Sequence, residues 1–133
     1  MSQEKQSSPR GRVLCVEDDQ DTCEVLHFVM TDYELTTVHS IEEAERLIDR
    51  DDFDLYVLDN WLPDGSGTEL CQKIRDRGIK SPIIFTSAIG QRQDIELAMR
   101  AGADRYLVKP YEPETLVRTV KELLDLGDQR ATP

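Results

Sequence analysis

Three carboxylates, two hydroxyls and one ammonium share a placement in this chain: each stands where a short apolar run ends. Val13-Leu14-Cys15-Val16 runs into Glu17-Asp18, with Asp19 and Asp21 close behind. Leu55–Leu58 runs into Asp59, Ile83–Phe85 into Thr86-Ser87, and Tyr106–Val108 into Lys109-Pro110. Carboxylates gathered on one rim repel, and without compensation at least one would hold a proton near neutral pH. A divalent cation removes that cost. Mg2+ suits best, because it takes oxygen ligands, keeps several waters and binds through one or two carboxylates plus phosphate. A carboxylate held beside such a cation can attack phosphorus and form an acyl phosphate. Lys109 would then balance charge on the transferring phosphoryl group, and Ser87 would hydrogen-bond one of its oxygens. Taken singly, these residues read as turns, helix caps or surface charge; their joint placement points to a site.

That placement requires parallel strands ending on one rim. The apolar runs predict strands at Val13–Glu17, Leu35–His39, Leu55–Asp59, Ile83–Ser87 and Arg105–Lys109. Four are nearly continuous, the pattern of strands covered on both faces; the second is more polar and suits an edge. A helical pattern follows each. Thr22, Val25, Leu26, Val29 and Tyr33 form one stripe, with Asp19 and Asp21 as available N-caps, and Ser40-Ile41-Glu42-Glu43 has capping-box spacing before Ala44, Leu47 and Ile48. Leu70, Cys71 and Ile74 lead to a stop at Gly78; Ile95, Ala98 and Met99 precede Gly102. Pro113 opens the last helix ahead of Leu116, Val120, Leu123 and Leu124. Strands alternating with helices imply right-handed βαβ units, hence an α/β, (βα)5 doubly wound five-stranded parallel sheet. In such a sheet ligands bind beyond the carboxyl ends of the strands.

Composition narrows the function further. The chain has 133 residues, the size of one domain, and a formal charge of −11. That balance excludes direct nucleic-acid binding and an anionic membrane surface, both of which call for excess Lys and Arg. No apolar run is long enough to span a bilayer, and MSQEKQSSPRGR lacks the apolar centre of a secretory signal. Cys15, Cys23 and Cys71 are odd in number and lack CxxC spacing, so they read as small buried hydrophobes in a cytoplasmic protein. Residues 1–11 and 127–133 read as disordered tails around a domain at 12–126. His27 and His39 lack partners at metal or triad spacing, and Gly65-Ser66-Gly67 lacks the spacing of a phosphate loop.

Over residues 12–126 the chain resembles the receiver domain of two-component response regulators, in the segments RVLCVEDD, DLYVLDNWLPDGSG, SPIIFTSA and AGADRYLVKP. The resemblance implies the flavodoxin-like strand order 2-1-3-4-5. It implies that Asp59 accepts a phosphoryl group from the phosphohistidine of a histidine kinase or phosphotransfer protein, in a two-component or phosphorelay system with Mg2+ as cofactor. Asp18 would bind the metal directly and Glu17 through water, with the Trp61 backbone carbonyl as a further ligand beside Asp59. Lys109, followed by a cis peptide to Pro110, and Ser87 would stabilise the phosphoryl group. Thr86 and Ser87 both carry hydroxyls. Ser87 is the one five residues after Pro82 and 22 before Lys109, and Thr86 would point to the opposite face. Tyr106 matches the aromatic switch residue, which with Ser87 would remodel the face of helix four, strand five and helix five. Trp61 and Ile89 would flank the path of the water that hydrolyses the acyl phosphate.

Other readings fare less well. A flavodoxin needs an anion-accepting first loop, whereas VEDDQDT repels phosphate. A haloacid-dehalogenase-type phosphatase needs an aspartate two places after its nucleophile, where this chain has Trp61. A receiver-like module working without phosphorylation would lack one or more of Glu17, Asp18, Asp59, Ser87 and Lys109, all present here. The reading is therefore a signalling receiver rather than an enzyme. About seven residues follow the last helical pattern, so no attached output domain is expected and output would pass through an unknown downstream protein. Arg105 stands where the winged-helix class pairs receivers through an acid, which argues against that dimer mode.

Overall fold

The computed structural model describes residues 11–131. In chain order the elements are β1 (Arg12–Val16), α1 (Gln20–Val29), β2 (Glu34–Val38), α2 (Ile41–Arg50), β3 (Leu55–Asp59), α3 (Gly67–Asp76), β4 (Ile83–Ser87), α4 (Arg92–Ala101), β5 (Arg105–Val108) and α5 (Pro113–Ala131). The five strands are all parallel and run in the order β2-β1-β3-β4-β5. A two-residue ribbon, Trp61–Leu62 against Gly65–Ser66, follows β3. The expected fold and strand order are both present. Among the described residues no helix is long and apolar enough to cross a membrane.

Period-two alternation along the central strands feeds two cores. Leu14, Val16, Tyr56, Leu58, Ile83 and Phe85 pack with α2, α3 and α4 through Ala44, Ile48, Leu70, Ile74 and Ala98. Val13, Cys15, Leu55, Val57 and Ile84 face the other way, onto Leu26 and Met30 of α1 and Leu116, Val120 and Leu123 of α5. Burial on both faces is why β1, β3 and β4 read as continuous apolar runs. Truncating one of these buried leucines to alanine would cost about 2–5 kcal/mol.

Local chemistry sets the helix ends. The Asp19 carboxylate accepts the Thr22 N–H at 2.9 Å, and Ser40 Oγ accepts the Glu43 N–H at 3.2 Å. Glu43 reaches back as a capping box does, but one residue further, to the N–H of His39 at 2.8 Å. Gly78 follows α3 at φ +81°, a left-handed conformation that favours glycine there.

Several details differ from the sequence pattern. Val25 and Met99 are 45% and 42% exposed; the buried positions are Cys23 and Leu26 in α1, and Ala98 and Ala101 in α4. Both helices turn a narrower stripe to the sheet than the apolar residues mark out. Tyr33 is buried beyond the end of α1. β5 is exposed at both ends because, as the second edge, it pairs with β4 alone. The last helix continues to Ala131, past residue 126 where composition placed a tail. The tail expected at 1–11 lies, except for Gly11, outside the described residues, as do residues 132–133.

Candidate functional site

The carboxyl ends of β1, β3 and β5 open onto a cleft of about 340 Å³ lined by Glu17, Asp18, Asp59, Trp61, Ala88 and Lys109, with Asp19 and Gln20. Lys109 Nζ lies 3.1 Å from Glu17 Oε1 and 3.1 Å from Asp59 Oδ1, bridging residues 92 and 50 positions away. Glu17 and Asp59 are almost fully buried, at 3% and 6% exposure, while Asp18 is exposed at the mouth. The second Glu17 oxygen accepts the Asp19 N–H at 3.0 Å. Lys109 follows β5 with its N–H donated to the Ser87 carbonyl, and the next peptide, to Pro110, is cis.

Burial and this crowding set the protonation of the site. Desolvation pushes the Glu17 carboxyl up, reinforced by the Asp59 charge and opposed by the Asp19 N–H and by Lys109. Burial would lower Lys109, but the two carboxylates beside it outweigh that and hold its pKa above the ordinary lysine value. One ammonium thus serves two buried carboxylates, with Asp18 a third nearby. The cleft keeps a residual negative charge that suits a small cation.

All donors here are oxygens, which fits a hard divalent ion. Among the described residues no three Asp, Glu, His or Cys side chains cluster tightly enough to hold a metal by themselves. The carboxylate side chains left at the cleft are those of Asp18, Asp19 and Asp59, with Glu17 already engaged by Lys109 and the Asp19 N–H.

The remaining expected residues form a second group behind the cleft. Ser87 is fully buried, and its hydroxyl accepts the Ile89 N–H at 3.1 Å. The Tyr106 hydroxyl donates to the Ile89 carbonyl at 2.6 Å, and its ring stacks on Phe85 at 5.6 Å. Ser87 and Tyr106 are therefore joined through one residue, Ile89. Ile89 itself is half-buried and is absent from the cleft lining, whereas Trp61 is 62% exposed at the rim. Thr86 is buried and donates to the Leu58 carbonyl.

A match to the family model of the response regulator receiver domain extends over residues 13–121. The chain belongs to the response regulator receiver family. It is 36% identical over 112 residues to the nisin biosynthesis regulatory protein NisR of Lactococcus lactis, covering 83% of this chain and 48% of NisR. It is 34% identical over 124 residues to the response regulator protein PilR of Pseudomonas aeruginosa, covering 92% and 28% of the two chains. This receiver thus spans about half or less of the curated relatives it matches. A CheY-like receiver domain from Methanospirillum hungatei superposes with a TM-score of 0.85 at 28% identity, over 90% of this chain and 98% of that one. The BeF3-activated DrrB receiver domain gives 0.79 at 28% identity, over 86% and 97%.

Two contacts that support the elements around the cleft carry no sequence signal. His39, which has no partner at metal or triad spacing, places Nδ1 3.0 Å from the Glu17 carbonyl and so braces the end of β1. Asp64, to which the sequence pattern assigns no role, accepts the backbone N–H groups of Ile41 and Glu42 at 2.8 and 3.0 Å. Neither contact has a local signal, since each joins elements more than twenty residues apart. Gly67 is needed for close approach: a Cβ there would collide with the Asp59 carbonyl oxygen and the Phe85 ring.

Proposed function

We propose that this receiver accepts a phosphoryl group on Asp59 from the phosphohistidine of a histidine kinase or phosphotransfer protein. The reading rests on one observation: buried Asp59 shares Lys109 with buried Glu17 at the carboxyl end of the sheet. An Asp59 carboxylate oxygen attacks phosphorus in line; the P–N bond breaks as the P–O bond forms, and the histidine keeps the electron pair. Bound Mg2+ would supply charge neutralisation for the phosphoryl oxygens. Asp18, Asp59 and the Trp61 carbonyl would hold it, with Glu17 acting through water. Lys109, already 3.1 Å from Asp59, is placed to follow the negative charge onto the phosphoryl group.

The donor would approach beside the cleft. An apolar groove of about 480 Å³ adjoins it, lined in part by Val25, Leu26, Pro110, Tyr111 and Pro113, with Phe28 82% exposed on the same helix as Val25. Such a surface beside an acidic mouth suits a helical partner presenting a histidine.

Transmission would run through the second group. Drawing the Ser87 hydroxyl to the phosphoryl group breaks its bond with the Ile89 N–H, and Ile89 carries the hydrogen bond of Tyr106. The face affected includes exposed Leu97, Met99 and Val108, where a downstream protein would bind.

The test is incubation with Mg2+ and acetyl phosphate, followed by mass spectrometry. Wild type should gain one phosphoryl group on Asp59, and Asp59→Asn or omission of Mg2+ should prevent it. Equal labelling of Asp59→Asn would refute Asp59 as the acceptor. Asp18→Asn should also abolish the Mg2+-dependent change in Trp61 fluorescence; a retained response would remove Asp18 from the metal site.

A further inference from the structure

We infer that Asp64 is a positioning residue for the cation site, acting through the loop that carries the Trp61 carbonyl; this rests on the metal-dependent reading above. The loop leaves β3 at Asp59, pairs Trp61–Leu62 with Gly65–Ser66, and turns through Pro63 and Asp64. Within the ribbon, alternation sends Leu62 into the core and Trp61 out over the cleft. A ribbon of two residues a side is too short to hold itself in water. Its orientation must come from its attachments.

Three are present. Leu62 is buried at 9% exposure, and the Gly67 N–H donates to the Asn60 carbonyl at 2.8 Å, closing the loop at its base. The third lies at the tip. The Asp64 carboxylate takes the Ile41 N–H on one oxygen and the Glu42 N–H on the other. These are first-turn donors of α2 that have no partner inside the helix. Ser40, the helix's own cap, accepts a different donor, the Glu43 N–H. The loop is thus pinned at its tip by a charge-assisted pair of bonds at the positive end of α2.

The same helix start also reaches the other side of the cleft. Glu43 accepts the His39 N–H, and the His39 ring meets the Glu17 carbonyl at 3.0 Å. The N-terminus of α2 is therefore a common anchor for the loop of Trp61 and for the end of β1. Without Asp64, the first of these supports is lost and the second remains. Groups that orient metal ligands typically matter by about 10–100-fold in metal affinity.

The experiment compares Asp64→Ala, Asp64→Asn and Ser40→Ala with wild type. Ser40→Ala removes a cap from the same helix without touching the loop, so it reports a general loss of α2. Mg2+ titrations followed by Trp61 fluorescence should show half-saturation raised about tenfold in Asp64→Ala. Asp64→Asn, which keeps one acceptor oxygen, should lie between it and wild type, and Ser40→Ala should stay near wild type. In metal-free protein, amide exchange at Gly67 should quicken in Asp64→Ala and not in Ser40→Ala. If wild type responds to Mg2+ but Asp64→Ala titrates like it, or Ser40→Ala weakens equally, the positioning role is wrong while the metal site stands. If wild type shows no Mg2+ response, the metal reading fails and the role of Asp64 fails with it.

Discussion

Replacing Lys109 by methionine keeps the aliphatic stem and removes the charge that Glu17 and Asp59 share. At an effective dielectric near 20, each 3.1 Å contact carries about 5 kcal/mol of direct attraction, most of it offset by the desolvation of the ions. The two carboxylate oxygens both touch one nitrogen, so they are at most about 6 Å apart and repel by about 3 kcal/mol once it is gone. Water screens part of this, because 27% of the Lys109 side chain is exposed at the cleft mouth. A destabilisation of about 2 kcal/mol is expected in EDTA at pH 8. On the proposed Mg2+ site, the bound cation would replace the missing charge, so the deficit should fall below about 1 kcal/mol at saturating Mg2+.

The pH dependence follows from Glu17, whose folded pKa lies above its unfolded value. Its ionisation opposes folding above the folded pKa. The penalty fades as pH falls through that value and is gone below the unfolded one, near the ordinary glutamate value of 4.5. Without Lys109 that folded pKa rises further, so the Lys109→Met deficit should shrink between pH 8 and pH 5. Urea unfolding of both proteins, with NaCl matching the ionic strength of the Mg2+ buffer, provides the measurement. A deficit under about 0.5 kcal/mol in EDTA, or one unaltered by Mg2+, would refute the shared-counterion account.

Three further outcomes are expected. Arg75, which donates to the Ile79, Ser81 and Gly102 carbonyls and to Asp104, ties α3 to the ends of β4 and α4, and Arg75→Ala should cost about 2–3 kcal/mol in urea unfolding. Ser87→Ala should leave Asp59 phosphorylation possible but weaken its coupling to Tyr106, so beryllofluoride should shift the Tyr106 NMR resonances less than in wild type. Trp61→Asn with Ile89→Glu should speed loss of phosphate from Asp59 in Mg2+, with Trp61 contributing more because it lines the cleft and Ile89 does not; an unchanged rate would remove the shielding role.

The sequence alone carried the strand and helix alternation, because burial on both faces writes itself into continuous apolar runs at β1, β3 and β4. It also pointed to the shared rim of Glu17, Asp18, Asp59 and Lys109, since a parallel sheet brings every strand's carboxyl end to one side. Caps such as Asp19 and Ser40 were legible for the same reason: they act within three residues of themselves. Tertiary structure decided the rest. It set which apolar helix positions are buried, turning Val25 and Met99 to water, because that depends on how each helix docks on the sheet. It determined that Lys109 serves Glu17 and Asp59 together, that Ser87 and Tyr106 meet at Ile89, and that Asp64 caps a helix start 23 residues earlier in the chain. Hydrogen bonds between distant residues leave no period or spacing in a sequence. They exist only once the sheet has brought its loops together.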